Sequence, residues 1–146
     1  MNLRDVEAPP FEDELPGGFV FGEVSARERS SDDLIGPTLY ELPAGNQLWP
    51  YHLHFGNEEW VVVVSGTPTL RTPKGERELR PGDVVAFVQG EEGAHTFYNR
   101  VDEPARILFF STLRRGSVAY PDSDKVGAGG LYFRRSDAVD YWDGEA

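Results

Sequence analysis

The chain has 146 residues, no cysteine and a formal net charge of −11. This length is typical of one domain with its own core, and the lack of cysteine excludes disulfides and a thiol nucleophile. The negative charge argues against nucleic acid and anionic membranes as partners, because phosphate binding relies on clustered Lys and Arg. The longest apolar runs, Trp60–Val64 and Val84–Val88, are too short to cross a bilayer. We therefore expect a single cytoplasmic domain over residues 1–146.

The first segment, residues 1–17, is acidic and contains three prolines. It is too polar and too rich in proline for a helix or a central strand, so we expect an N-terminal arm. Apolar and β-branched residues return from Gly18. They predict strands at 19–25 and 38–42, with a polar loop at 30–36 between them.

The middle of the chain alternates short apolar runs with Gly, Pro and Asn turn signals. After a hairpin at 50–65, the pattern predicts strands at 67–71, 76–80, 84–89, 95–99 and 105–112. Regular turns without helical periodicity indicate an all-β sandwich or barrel. Val61–Val64 is apolar at every position, which predicts a strand covered on both faces.

Residues 113–146 differ in character and are expected to form a C-terminal tail. Gly, Ser, Asp and Arg dominate 113–130, whereas 131–133 suits one more strand and 137–142 a short helical turn. The tail is too aromatic for a disordered end, so we expect it to dock on its own barrel or on a partner subunit. The aromatic residues concerned are Tyr120, Tyr132, Phe133, Tyr141 and Trp142.

The hairpin at 50–65 gathers polar side chains that can bind a metal ion. In an extended strand the side chains alternate, so His52 and His54 share one face. The turn at 55–58 then brings Glu59, the first residue of the next strand, opposite this pair. Imidazole nitrogen and carboxylate oxygen together suit Fe, Mn, Ni, Cu or Zn. The neighbouring Glu58 is expected to face away.

These residues resemble the first motif of the cupin superfamily. The chain has His52-x-His54, four residues, Glu59, six residues and Gly66, while Gly45 lies one residue further from His52 than the family pattern has it. A second motif matches at three positions, Gly82, His95 and Asn99. It departs from the family at two others, because Val88 replaces a proline and four residues separate Gly90 from His95.

The resemblance covers Thr38 to Thr112 and implies a fold and a ligand set. The fold would be a cupin-like double-stranded β-helix, a jelly-roll barrel with N- and C-terminal arms and its core at 38–112. His52, His54, Glu59 and His95 would hold one divalent metal ion with about two open positions. Similar proteins are commonly dimers, so a homodimer is expected.

Several functions remain open at this point. The resemblance favours a metal-dependent enzyme acting on a small polar metabolite, like cupin dioxygenases or sugar-type isomerases. One alternative is a non-catalytic module that binds or senses a small molecule, and another is a metal-free barrel with an apolar ligand. One fold hosts many chemistries, so the motifs do not choose between these functions.

Strand parity proposes further pocket residues. Phe97 and Asn99 share a face with His95, and Arg106 is a candidate for binding an anionic substrate. Asn99 also suits the turn that follows it. Trp49 has the opposite parity from the histidines and is expected on the outside of its strand.

Overall fold

The computed structural model describes residues 3, 15, 17–25, 32–114 and 116–145. The predicted arm at 1–17 lies almost entirely outside these residues. They form twelve strands: β1 (Gly22–Ser25), β2 (Ile35–Leu42), β3 (Gln47–His54), β4 (Glu59–Ser65), β5 (Thr69–Thr72), β6 (Gly75–Glu78), β7 (Val84–Phe87), β8 (His95–Tyr98), β9 (Ala105–Thr112), β10 (Val118–Tyr120), β11 (Lys125–Ala128) and β12 (Leu131–Arg134). Single 3-10 turns lie at Glu91–Gly93, Pro121–Ser123 and Arg135–Asp137. Within the described ranges, no helix has the length and apolarity needed to cross a membrane.

The strands build two antiparallel sheets. One has the order β1-β2-β9-β4-β7 and the other β12-β11-β10-β3-β8-β5-β6. Their facing apolar side chains form the main core, and each fully buried one stabilises the fold by about 1.5–3 kcal/mol relative to an exposed position. The buried members are Phe21, Leu42, Leu48, Val61, Val63, Leu70, Leu79, Phe87, Phe97, Ile107 and Phe109. The predicted all-β jelly-roll barrel is confirmed.

Strand β3 contains an irregularity that its sequence does not reveal. Trp49 has a φ of 57°, and the register between β3 and β8 shifts between Leu48 and His52. The shift resets the alternation of side chains, so that Trp49 turns inward and its ring centre lies 4.4 Å from that of Phe21. The expectation that Trp49 lies on the outside of the strand is therefore wrong.

Strand β4 is buried on one face only. Val61 and Val63 are 0% and 1% exposed and point into the barrel, whereas Trp60 on the other face is 48% exposed. Val62 and Val64 are half-buried. The expectation of cover on both faces is wrong for the described chain, because the second face of the five-stranded sheet points outward.

The C-terminal tail contains more regular structure than its composition suggests. The segment 113–130, for which no strand was predicted, includes β10 and β11, and β10 pairs directly with β3. The predicted strand at 131–133 is confirmed as β12. In place of the short helical turn expected at 137–142, the backbone has a 3-10 turn at Arg135–Asp137 and a turn closed by the hydrogen bond from the Asp143 N–H to the Asp140 carbonyl.

The last aromatic residues of the tail are largely exposed to solvent in the described structure. Phe133 is 55% exposed, Tyr141 82% and Trp142 72%. Docking of these residues on the chain's own barrel or on a partner subunit stays a prediction.

Candidate metal centre

The hairpin of β3 and β4 brings two histidines and one carboxylate together. The alternation of β3 turns Tyr51 and Leu53 into a small second core and leaves His52 and His54 on the barrel side. The ligand atoms of His52, His54 and Glu59 all lie within 4.8 Å of one another. These three residues could hold a metal ion.

His95 joins this group from β8. It is paired with His52 across the two strands, and the ring centres of the two residues are 4.7 Å apart. His95 Nε2 lies 3.3 Å from Glu59 Oε2, and His54 Nε2 lies 3.2 Å from the same oxygen. The His95 ring is 1% exposed and stacks on Phe87 with a centre separation of 3.8 Å. The geometry thus brings together all four residues that the motifs propose.

Backbone carbonyls set the tautomers of two rings. His52 Nδ1 donates to the Pro50 carbonyl at 2.8 Å, and His95 Nδ1 donates to the Gly93 carbonyl at 2.9 Å. A carbonyl only accepts, so in each neutral ring the proton is on Nδ1 and Nε2 carries the lone pair. This second contact is what orients metal-binding histidines.

The charge states suit metal binding. Burial, together with the neighbouring His95 and His54 rings, lowers the pKa of His52 to about 3, so this imidazole is neutral at physiological pH. Burial alone would raise the pKa of Glu59. The contacts of His54 and His95 with its carboxylate outweigh burial, so the pKa of Glu59 lies below its ordinary value and the carboxylate is ionised.

The polar atoms at the centre do not satisfy one another. Nε2 of His54 and of His95 are buried without a hydrogen-bond partner, although a Glu59 oxygen is in contact with both. When the His95 ring is neutral, the lone pair on its Nε2 faces the negatively charged Glu59 oxygen. This contact is unfavourable unless a proton or a metal ion lies between the two atoms. Two ligand atoms about 2.1 Å from one octahedral ion are roughly 3 Å apart, so the 3.2 and 3.3 Å separations fit a shared metal.

Glu59 is held in place by a residue that the sequence reasoning missed. Ser111 Oγ on β9 donates to Glu59 Oε1 at 2.5 Å, which leaves Oε2 directed at the histidines. Ser111 lies opposite Glu59 in the ladder between β4 and β9. It is two residues after the inward-facing Phe109 on the same strand, so side-chain alternation could have predicted that Ser111 also faces inward. Glu58 lies on the outside, where its carboxylate accepts from Trp60 Nε1 at 3.0 Å.

The four residues lie in a pocket of about 400 Å³. Its wall is largely apolar and aromatic around a polar centre, as is usual for small-molecule sites. Besides the four, the described residues lining it include Thr38, Tyr40, Leu48, Trp49, Pro50, Asn57, Phe97, Phe109, Ser111, Leu113, Gly116, Val118 and Tyr120. Phe97 thus borders the pocket and also belongs to the main core.

Two other residues proposed for the pocket are placed elsewhere. Asn99 is 1% exposed, and its Nδ2 donates to the carbonyls of Leu42 and Glu103, so it fixes the turn after β8. Arg106 points to the outer face of β9, where its Nε donates to Glu41 at 2.8 Å. Neither residue is among the described lining of the pocket.

The tail supplies Tyr120, which sequence reasoning did not place in the pocket. Val118 of β10 pairs with His54, and the Tyr120 ring centre is 6.1 Å from that of His52. Burial and the neighbouring Tyr132 raise the pKa of Tyr120 to about 12, so its hydroxyl is neutral and able to donate. The three-residue strand β10, within a Gly- and Ser-rich segment, gave too weak a pattern to predict.

The comparisons with known proteins identify the family. Residues 38–111 match the family described as the cupin domain, which is half of the chain. The protein belongs to the cupin family. The match ends before β10, so Tyr120 lies outside the segment that defines the family. A search of curated proteins found no match.

Solved structures extend the similarity to nearly the whole chain. A protein provisionally assigned as a sugar phosphate isomerase from Acidithiobacillus ferrooxidans is 26% identical with a TM-score of 0.75, covering 83% of this chain and 80% of that one. A sugar phosphate isomerase of the cupin superfamily from Silicibacter pomeroyi is 24% identical with a TM-score of 0.76, covering 98% and 97%. The polyketide cyclase RemF from Streptomyces resistomycificus is 21% identical with a TM-score of 0.56, covering 75% and 72%. The last two likenesses concern the fold alone.

Proposed function

We propose that this protein is a metal-dependent isomerase acting on a small hydroxy-carbonyl metabolite. The observation that carries the proposal is the convergence of three imidazoles and one ionised carboxylate in a pocket of about 400 Å³. The similarity to the Acidithiobacillus ferrooxidans protein supports the reaction type.

His52, His54, Glu59 and His95 would hold one divalent ion, of Zn, Fe, Mn, Ni or Cu. A bound ion of this kind acts as a Lewis acid that polarises a carbonyl oxygen and favours loss of the neighbouring proton. With three neutral imidazoles and one carboxylate around it, the site keeps a net charge of about +1 and about two open positions. Two adjacent oxygen atoms of one substrate fit such a pair.

The chain's own residues orient the substrate. The Tyr120 hydroxyl can donate to a substrate oxygen beside the metal centre, and Phe97 and Phe109 shield that point from water. Ser111 keeps the Glu59 carboxylate in a fixed orientation. Isomerisation also needs a group that moves a proton between neighbouring carbons, and Tyr120 is the pocket phenol nearest to His52 among the described ring contacts.

One observation favours a second candidate, a non-catalytic binding module. Of the described residues that line the pocket, Glu59 is the sole carboxylate and the three ligand histidines are the sole imidazoles. A site without a free base can bind a chelating metabolite and release it unchanged. A dioxygenase, the other enzyme class implied by the motifs, would use the same open positions for substrate and oxygen.

One set of assays separates these functions. Metal-loaded protein is incubated in D₂O with short hydroxy-aldehydes and hydroxy-ketones, and proton NMR follows deuterium uptake at the carbon next to the carbonyl. The metal-free protein and a His52→Ala/His54→Ala variant serve as controls. Exchange that needs both the metal and the histidines supports the isomerase. Tight binding without exchange favours the binding module, and metal-dependent oxygen consumption favours the dioxygenase.

We also propose that the protein is a homodimer that uses the exposed tail. The β12 strand ends the seven-stranded sheet, and no described strand pairs with its outer edge. Phe133 within β12, and Tyr141 and Trp142 further along the tail, are exposed. A large aromatic side chain can bury about 150–250 Å², so three that are 55–82% exposed can supply a substantial part of the roughly 800 Å² that each partner buries in a stable interface.

A further inference from the structure

The sheet that carries the metal ligands continues beyond the pocket on the same face. His54 pairs with Val118, and Val118 pairs with Gly127 on β11. Tyr120, two residues further along β10, pairs with Lys125. Side chains directly paired across strands share a face, so Lys125 stands on the side of the sheet that bears His54 and Tyr120.

Lys125 is placed between two tyrosine rings. Its Nζ lies 5.1 Å from the ring centre of Tyr120 and 5.9 Å from that of Tyr132. Contacts of this kind attract the ammonium to the rings and restrain a side chain that is otherwise mobile. The Tyr120 ring therefore lies between the metal centre and this ammonium, since its ring centre is also 6.1 Å from that of His52.

The Lys125 ammonium has no anionic partner among the described residues. Its two nearest acidic neighbours in the chain are engaged elsewhere, since Asp122 accepts from both Nη atoms of Arg71 and Asp124 accepts from the Ser136 backbone N–H. An ammonium has three N–H donors, and an aromatic ring face offers them no oxygen or nitrogen acceptor. The chain has a net charge of −11, so a lysine beside the pocket without an anionic partner among the described residues is available to bind an anionic ligand.

Gly127 allows the rings to come together. A Cβ at this position would lie 2.8 Å from Tyr132 Cε1 and 3.1 Å from Val118 Cγ1. The missing side chain lets the Tyr132 ring lie across β11 toward Tyr120, where the two ring centres are 6.1 Å apart. This arrangement of Tyr120, Lys125 and Tyr132 is called the lysine shelf below.

The described lining of the pocket contains no Lys or Arg. A second anionic group on the substrate would therefore find its cation at the shelf rather than at the pocket wall. We propose that the lysine shelf is a second binding subsite, which holds a carboxylate or phosphate group of a substrate whose hydroxy-carbonyl end occupies the metal centre. This inference rests on the proposed function, since it assumes that the metal centre binds the other end.

The test uses metal-loaded protein and three probes that share a chelating hydroxy acid. Glycolate has the chelating end alone, malate adds a second carboxylate, and 3-phosphoglycerate adds a phosphate while keeping the free hydroxyl beside its carboxylate. Calorimetry gives the affinity of each probe for the wild type and for Lys125→Met. Lys125→Arg keeps the charge, and Lys74→Met removes the other lysine, on the exposed turn between β5 and β6.

The wild type is expected to bind malate or 3-phosphoglycerate about tenfold more tightly than glycolate, as one charge-assisted hydrogen bond would allow. Lys125→Met should lose this preference with glycolate binding unchanged, while Lys125→Arg and Lys74→Met should keep it. Loss of the malate preference alone assigns the shelf to carboxylates, and loss of the 3-phosphoglycerate preference alone assigns it to phosphates.

Two results would overturn the subsite and leave the metal centre intact. One is a wild type that binds all three probes equally or binds none of them, and the other is a preference that survives in Lys125→Met. Metal content is measured for every variant. A wild type that takes up no divalent ion would overturn the proposed function and the subsite with it.

Discussion

Replacing Ser111 by alanine tests how firmly the metal centre is held by its surroundings. The Ser111 hydroxyl donates to Glu59 Oε1 at 2.5 Å, a hydrogen bond to an ionised and largely buried carboxylate. Such bonds contribute about 1.5–3 kcal/mol, and loss of the partner that orients a metal ligand weakens metal affinity about 10- to 100-fold. We therefore expect Ser111→Ala to raise the metal dissociation constant by one to two orders of magnitude.

The assay is a competition titration of the divalent ion between the protein and a chromophoric chelator. Thr112→Val is the matched control, because Thr112 is the next residue of β9 and its hydroxyl accepts from the Glu58 N–H at 2.9 Å. Thr112→Val removes a hydrogen bond of the same strand and leaves the contacts of the Glu59 carboxylate unchanged. If both variants bind the metal as the wild type does, Ser111 plays no part in holding the carboxylate.

Three further outcomes are expected. Gly93→Ala should unfold or strongly destabilise the protein, by about 4 kcal/mol or more, because the new Cβ would overlap the Val88 carbonyl oxygen. Gly90→Ala in the same loop has open space around the new Cβ, but its φ of 84° and ψ of −167° suit glycine almost alone, so urea unfolding should show a cost of about 1–3 kcal/mol. Chelator treatment should lower the melting temperature, since an ion at about 100 times its dissociation constant adds about 2.7 kcal/mol, and a melting curve indifferent to chelator would contradict a resident metal. Replacing Tyr141 and Trp142 by serine should convert a dimer to a monomer in sedimentation equilibrium, whereas a wild type that already sediments as a monomer would refute the dimer.

The sequence predicted most where side-chain alternation is undisturbed. His52, His54 and Glu59 lie in regular parts of β3 and β4, so counting residues was enough to bring them to one face. Trp49 lies at a register shift, and a shift of this kind leaves no mark in the pattern of apolar residues. The same counting therefore failed three residues before His52.

The outer parts of the site were harder to predict because they depend on pairing between distant strands. Ser111 was inside a correctly predicted strand, but its role depends on the β4–β9 register, which joins residues far apart in the chain. Tyr120 and Lys125 come from strands of three and four residues, too short for alternation to be recognised. For Asn99, strand parity suggested the pocket, whereas its amide is engaged by the carbonyls of the following turn and of β2.

The most direct measurement is the metal content of three purified proteins after dialysis against a mixture of divalent ions. The wild type and Glu58→Gln are expected to retain one ion per chain, because Glu58 points to the outside beside Trp60. Glu59→Gln is expected to lose it, because the amide removes the charge that contacts His54 and His95. Retention of the ion by Glu59→Gln together with its loss from Glu58→Gln, or a wild type that binds none, would contradict the metal centre described here.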